Sequence, residues 1–212
     1  NDGGYIITGQ YHAQHPDILV VKIDGQGSIQ NKHIISTAPS SQRVVESGKS
    51  ILSIDNGYII LASLSQSSAN GPSNIWLSEY IESTLNVGDT TWTQTWDINT
   101  FDVPERLIKK TDGSYALSGY SLNSGGEIES SWIINSDISG NELSTIIISG
   151  DNYVYDLIEN SNGDYIIAGK KFNDNDYQGW IACIDVQGNI VWEKTYGEGD
   201  NALFRSIKQT SD

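Results

Sequence analysis

The sequence predicts an all-β repeat fold, and three observations carry that prediction. A turn of Asp, Asn and Gly followed by Tyr and an apolar run recurs at Asp2-Gly-Gly-Tyr5, Asp55-Asn-Gly-Tyr58, Asp112-Gly-Ser-Tyr115 and Asn162-Gly-Asp-Tyr165. Those tyrosines stand 53, 57 and 50 residues apart, and a fifth copy begins at Ser211-Asp212. Each interval holds strand-like runs and no helical periodicity. A period of this length with strand content marks a propeller or an array.

Each repeat divides into four runs. In the last one they are Tyr165 to Gly169, Trp180 to Asp185, Asn189 to Thr195 and Ala202 to Thr210. The first two are nearly continuous in apolar residues, and the last two alternate as half-buried strands do. Second and third runs are joined by a turn with Asp and, three residues on, Gly: Asp24 to Gly27, Asp137 to Gly140 and Asp185 to Gly188. Asp caps such a turn and Gly takes the positive φ that closes the hairpin. The second repeat runs Tyr80 to Asp89 instead, which predicts a longer, less regular hairpin. A large residue opens the second run at Leu19, Trp76, Trp132 and Trp180, with Trp92 or Trp96 and Trp192 on outer runs. A column of this kind reads as packing between neighbouring sheets, so these side chains are assigned to the core.

These motifs resemble a family of secreted and cell-surface prokaryotic repeat proteins. Its units read T-S-D-G-G-Y-I-hydrophobic-x-G, then W-hydrophobic-x-K-hydrophobic-D-x-x-G-N-hydrophobic-x-W-x-K-T-Y-G. Trp180 to Gly197, with Ile207 to Asp212 after it, matches that pattern nearly throughout, while repeats two and three match at the Tyr turn and the Trp column. The resemblance implies a β-propeller and transfers no catalytic motif. The expected fold is therefore one domain, 1–212, of four blades of four antiparallel strands, with repeats near 5–54, 58–111, 115–161 and 165–212. Ala202 to Thr210 would pair with Tyr5 to Gly9 and close the ring. An open array completed by other chains is the alternative, and it would polymerise.

Composition narrows the partners. Twelve basic residues against 27 acidic leave a charge of −15, which repels nucleic acid and anionic lipid. No apolar run approaches the length of a membrane span. Cys183, the single cysteine, sits in an apolar strand pattern and reads as a buried, inert thiol rather than a reactive one. Richness in Asn, Ser, Thr, Gly and Tyr with few Lys suggests an extracellular or cell-surface protein. Because the chain opens and closes in mid-repeat, it reads as the mature or excised portion of a longer product.

Strand direction would place the tight turns on one face and the irregular connections on the other, where variable loops carry binding. Asp17, Asp97, Asp102, Glu105, Glu127, Glu129, Asp151, Asp174, Asp176, Glu198 and Asp200 lie in or beside those connections, among Tyr11, Phe101, Tyr153, Phe172, Tyr177 and Tyr196. Acceptors mixed with aromatic faces suit a sugar, a cation or a basic protein segment, and equally make a solvated acidic rim. Counting back from each Tyr turn puts Lys49, Arg106, Asp156 and Arg205 at comparable places, with Arg43 a rival for the first. Such a set either grips an anion or forms a buried network. Asp174-Asn175-Asp176, followed by Gln178 and Gly179, offers the alternating oxygens of a calcium loop without its acidic last ligand, so calcium is the one cofactor considered. His12 and His15 lack a third zinc ligand. Glu127 and Glu129 have nothing to set them as acid and base for glycan cleavage.

The function expected is non-enzymatic: recognition of an extracellular glycan or protein through the irregular face, with Tyr153, Tyr177 and Tyr196 among the contacts. A structural subunit of a filament, sheath or surface layer, built by self-association, is the second expectation.

Overall fold

The computed structural model describes residues 3–12, 16–37, 44–66, 72–81, 90–173, 176–197 and 201–211. The chain divides into two compact units, Asn1–Asp102 and Val103–Asp212. In the first, β1 (Tyr5–His12), β2 (Pro16–Ile23) and β3 (Ile29–Ile35) form an antiparallel meander. A second meander follows in β4 (Val44–Ile54), β5 (Gly57–Gln66), β6 (Ser73–Ile81) and β7 (Thr90–Trp96). The two share a core: Ile18, Val20 and Ile35 pack with Tyr58, Ile60, Ala62, Trp76 and Tyr80, and Ile6, Ile51 and Leu64 lie against them.

The second unit repeats the plan. One meander comprises β8 (Phe101–Lys109), whose first residues belong to the first unit, β9 (Tyr115–Leu122), β10 (Ile128–Ser136) and β11 (Glu142–Ser149). The other comprises β12 (Asn152–Glu159), β13 (Tyr165–Asn173), β14 (Asp176–Ile184) and β15 (Ile190–Tyr196). Ala116, Ile133, Ile146 and Ile148 of one pack with Val154, Leu157, Tyr165, Ile167, Trp180, Ala182 and Ile184 of the other. Trp132 and Trp180 are fully buried and Trp76 nearly so, because β6, β10 and β14, the third strands of their meanders, are inner ones; Trp192, on the edge strand β15, is 42 % exposed. Tyr165 donates its hydroxyl to Asn135 Oδ1, which satisfies its polar end inside the core. Cys183 is buried, and burial raises its thiol pKa.

This architecture corrects the expected propeller. Among the described residues fifteen strands lie in three sheets, of three, eight and four strands, rather than in four separate four-stranded blades. A single parallel pair, Ser73↔Phe101, carries the strand path from β6 to β8 and makes the eight-stranded sheet. The described pairings close no ring. The backbone of Ala202 donates to Tyr177 O at 2.8 Å and that of Phe204 to Gly169 O at 2.9 Å, so the C-terminal segment aligns along the second unit. The sheet that holds β1 has the order β1-β2-β3, and Tyr5 to Gly9 are paired with β2. Repetition specifies which faces are apolar; it does not specify which sheet each face meets.

Local turn chemistry is regular. The N–H of Asp24, Lys110, Asn123, Asp137, Asn160 and Asp185 each donates to the carbonyl four residues on, and the N–H three residues on donates back. That returning residue is Gly27, Gly113, Gly126, Gly140, Gly163 or Gly188, all at positive φ. The connection from Asn123 to Glu129, expected to be irregular, thus begins with the same tight turn over Asn123 to Glu127, with Asn123 Oδ1 in the capping role. The Tyr80 to Asp89 hairpin falls mostly outside the described residues.

Hydrogen bonds from Asn141 and Asn189 hold the Asp137 and Asp185 carboxyls below the usual carboxylate range. A lowered folded-state value means stabilisation that is present above the ordinary value near pH 4 and is lost as pH falls through the lowered one. A D137N/D185N variant keeps the accepting Oδ1 and cannot titrate, so its melting temperature should fall less than the wild type's between pH 5 and pH 2. A second expectation concerns Gly169, where a Cβ would stand 1.7 Å from Tyr153 O. Gly169→Ala should therefore cost about 1–3 kcal/mol in urea unfolding, since the backbone of β12 must yield.

Candidate functional site

The second unit contains a cleft of about 450 Å³ lined by Gly126, Glu127, Ile128, Asp151, Tyr153, Phe172 and Tyr177. Three connections build it: the β9–β10 turn, the β11–β12 turn at Gly150, and the end of the β13–β14 hairpin. The Phe172 N–H donates to Asp151 O at 2.7 Å, which ties two of these together. Glu127 and Asp151 are exposed, so their carboxylates remain hydrated and available as acceptors.

Behind the cleft lies a cluster of rings. Tyr153 meets Tyr177 at 5.7 Å and Tyr120 at 4.8 Å, both edge to face, and stacks on Tyr155 at 6.2 Å. Phe172 meets Tyr177 at 5.3 Å and keeps 41 % of its surface exposed. These rings come from β9, β12, β13 and β14, and alternation along β12 sends Tyr153 and Tyr155 to one side of the strand. Lys170 Nζ sits 4.1 Å from the Tyr153 ring centre and 3.9 Å from that of Tyr177; Arg205 Cζ lies 4.3 Å over Tyr155. Burial, with the Arg205 charge nearby, lowers the Lys170 pKa, while burial raises those of Tyr120, Tyr153 and Tyr155. At neutral pH the tyrosines are therefore hydroxyl donors, not phenolates.

Asp156 is the polar centre of this region. Its Oδ1 accepts from the Leu157 N–H at 2.9 Å and pairs with Arg106 Nε at 3.1 Å. Its Oδ2 accepts from Ser206 Oγ at 2.9 Å and from the Ile207 N–H at 2.8 Å. The carboxylate thus ties β8, β12 and the C-terminal segment together, and it has its acceptor sites filled.

The residues singled out from sequence separate into groups. Tyr153 and Tyr177 line the cleft with Phe172, Glu127 and Asp151, and Arg106 meets Asp156. Arg205 lies over Tyr155. Tyr196 pairs instead with Phe204, ring centres 5.7 Å apart, and is 54 % exposed. Lys49 belongs to the first unit and is exposed. It stands where the β4–β5 register shifts, between Gly48 and Ser50, as Tyr155 stands between Val154 and Asp156. Ser50, not Lys49, therefore answers to Asp156, because the β4–β5 turn is shorter than the one that begins at Asn160. Asp176 opens β14 opposite Asn173. Asp174, Asn175, His15 and Arg43 lie outside the described residues, and among the described residues no group of three ligands for a metal comes together. Lys170, Tyr120 and Tyr155 escaped the sequence reading. Their signal was present: aromatic residues alternate at Tyr153 and Tyr155, next to a bulge.

Among known protein families and curated proteins, none matches the chain. Among solved structures it is similar to a protein of unknown function from Bacteroides caccae, at 13 % identity over 85 % of this chain and 78 % of that one, with a TM-score of 0.32.

If Asp156 holds the C-terminal segment in place, Asp156→Ala should lower stability by on the order of 2–3 kcal/mol, allowing for the half-exposed arginine. The same change should speed proteolysis between Leu203 and Lys208 well beyond any effect on the first unit, which mass mapping of the fragments would read.

Proposed function

We propose that this chain is a non-enzymatic binding protein that takes a glycan in the Tyr153–Phe172–Tyr177 cleft. The observation that carries the reading is an aromatic wall beside two hydrated carboxylates. A sugar ring presents C–H groups on its faces and hydroxyls around its edge, so it stacks on rings and donates to carboxylates at once. Phe172 offers an open ring, and Glu127 and Asp151 offer acceptors. A basic protein segment is the weaker fit, because Lys170 already occupies faces of Tyr153 and Tyr177 that a partner's cation would need. The composition, rich in Asn, Ser, Thr, Gly and Tyr, favours work outside the cell or at its surface.

Titration calorimetry against a panel of neutral glycans tests the proposal. Phe172→Ala and Tyr177→Ala should each weaken binding at least tenfold, about 1.4 kcal/mol, with unchanged circular dichroism. Affinity should vary little between 50 and 500 mM salt, and the glycan should be recovered intact. Loss of affinity with salt would point to a basic peptide instead, and wild-type affinity in both variants would remove the cleft from consideration.

A further inference from the structure

The rings around the cleft differ in what they leave open to a ligand. Among the described residues of the cluster only Phe172 is exposed, at 41 %, while Tyr120, Tyr153, Tyr155 and Tyr177 are half-buried. Lys170 Nζ, 3.9 Å from the ring centre of Tyr177 and 4.1 Å from that of Tyr153, already covers a face of each. Tyr153 also meets Tyr120 at 4.8 Å and Tyr155 at 6.2 Å. The open stacking platform is therefore a single ring, Phe172.

Ring orientation limits the ligand in the same way. Tyr177 is tilted 65° from Phe172 and 74° from Tyr153. Consecutive sugars of one chain stack on aromatic rings that lie side by side in a shared plane, whereas rings turned towards the perpendicular present one flat surface at a time.

The walls add a second restriction. The backbone bond from the Phe172 N–H to Asp151 O, 2.7 Å, closes the gap between two of them, and the turn that carries Gly126 and Glu127 bounds the cleft elsewhere. A glycan threaded through the site would need an exit that this bond removes between Phe172 and Asp151. The volume, about 450 Å³, falls in the lower part of the range for small-ligand sites, roughly 300–1,000 Å³.

The polar groups fit the same occupant. Asn123 Nδ2 donates to Glu127 Oε2 at 3.3 Å, so Glu127 presents its carboxylate from a held position, and Asp151 presents another from a different turn. Ionised carboxylates accept and do not donate, so both need free hydroxyls on the ligand. A ring in the interior of a glycan chain has given two hydroxyl positions to linkages. The last ring has given one.

On the reading that the ligand is a glycan, we infer that the cleft takes the terminal ring of a glycan chain, stacked on Phe172 with its free hydroxyls on Glu127 and Asp151, and not a stretch of the chain's interior. The rest of the chain leads away into solvent and contributes little to affinity.

Calorimetry on the unmodified protein tests this, with the neutral glycan that binds best supplied as linear chains of two, four and six sugars and as a long polymer. The expected result is one protein bound per glycan chain at every length, with affinities per chain that agree within about threefold, because the added sugars make no contact that repays their ordering. Phe172→Ala should weaken binding of all lengths by the same factor. Affinity that climbs with each added sugar, or many proteins loaded along one polymer chain, would overturn the terminal-ring inference while leaving the glycan reading in place. Absence of binding to every glycan in the panel would remove both.

Discussion

A single carboxylate organises the second unit. Asp156 stands beside a register shift in β12 and accepts hydrogen bonds from its own strand and the C-terminal segment while pairing with Arg106 of β8. A buried charge is tolerated only when its acceptor sites are filled, and here three separate stretches of chain fill them. The consequence reaches the cleft. Tyr155 occupies the bulge immediately before Asp156, and Tyr153 lies two residues earlier, so the position of both rings follows from where Asp156 is anchored. Had the register run without the bulge, the side chains beyond it would have changed faces.

The chemistry at the cleft is a balance between cations and rings inside a strongly acidic chain. Lys170 and Arg205 are placed on tyrosine faces, and each is stabilised by the ring quadrupole. Glu127 and Asp151 are left hydrated at the rim. This separation matters for recognition, because carboxylates already paired with the lysine would have lost acceptor capacity toward a ligand hydroxyl. Gly169 contributes from the backbone: without a side chain it lets β13 approach Tyr153 O, which sets the distance between Lys170 and the rings it covers.

Repetition in this protein serves a purpose that a single meander could not. Each meander has apolar residues that its own strands cannot cover, and stacking the next meander covers them. That arrangement works inside each unit, where Tyr58 and Tyr165 are buried.

The sequence by itself determined the all-β class, the turns and the inner strands. Asp or Asn followed three residues later by Gly closes hairpins through bonds confined to five residues, and Trp76, Trp132 and Trp180 are buried because the strands carrying them are central. These are local consequences of side-chain chemistry and of period-two alternation. It also brought Tyr153, Tyr177, Phe172, Glu127 and Asp151 into consideration as loop residues. What only the tertiary structure decided is long-range: that the described strands fall into three sheets, that the C-terminal segment is bonded to Gly169 of β13 and to Asp156, and that Lys170 rests on two tyrosines. Those outcomes depend on which apolar face meets which sheet and on one-residue differences in turn length. Four similar repeats present similar faces, so pattern alone leaves their pairing degenerate, and packing with the burial of Asp156 removes the degeneracy.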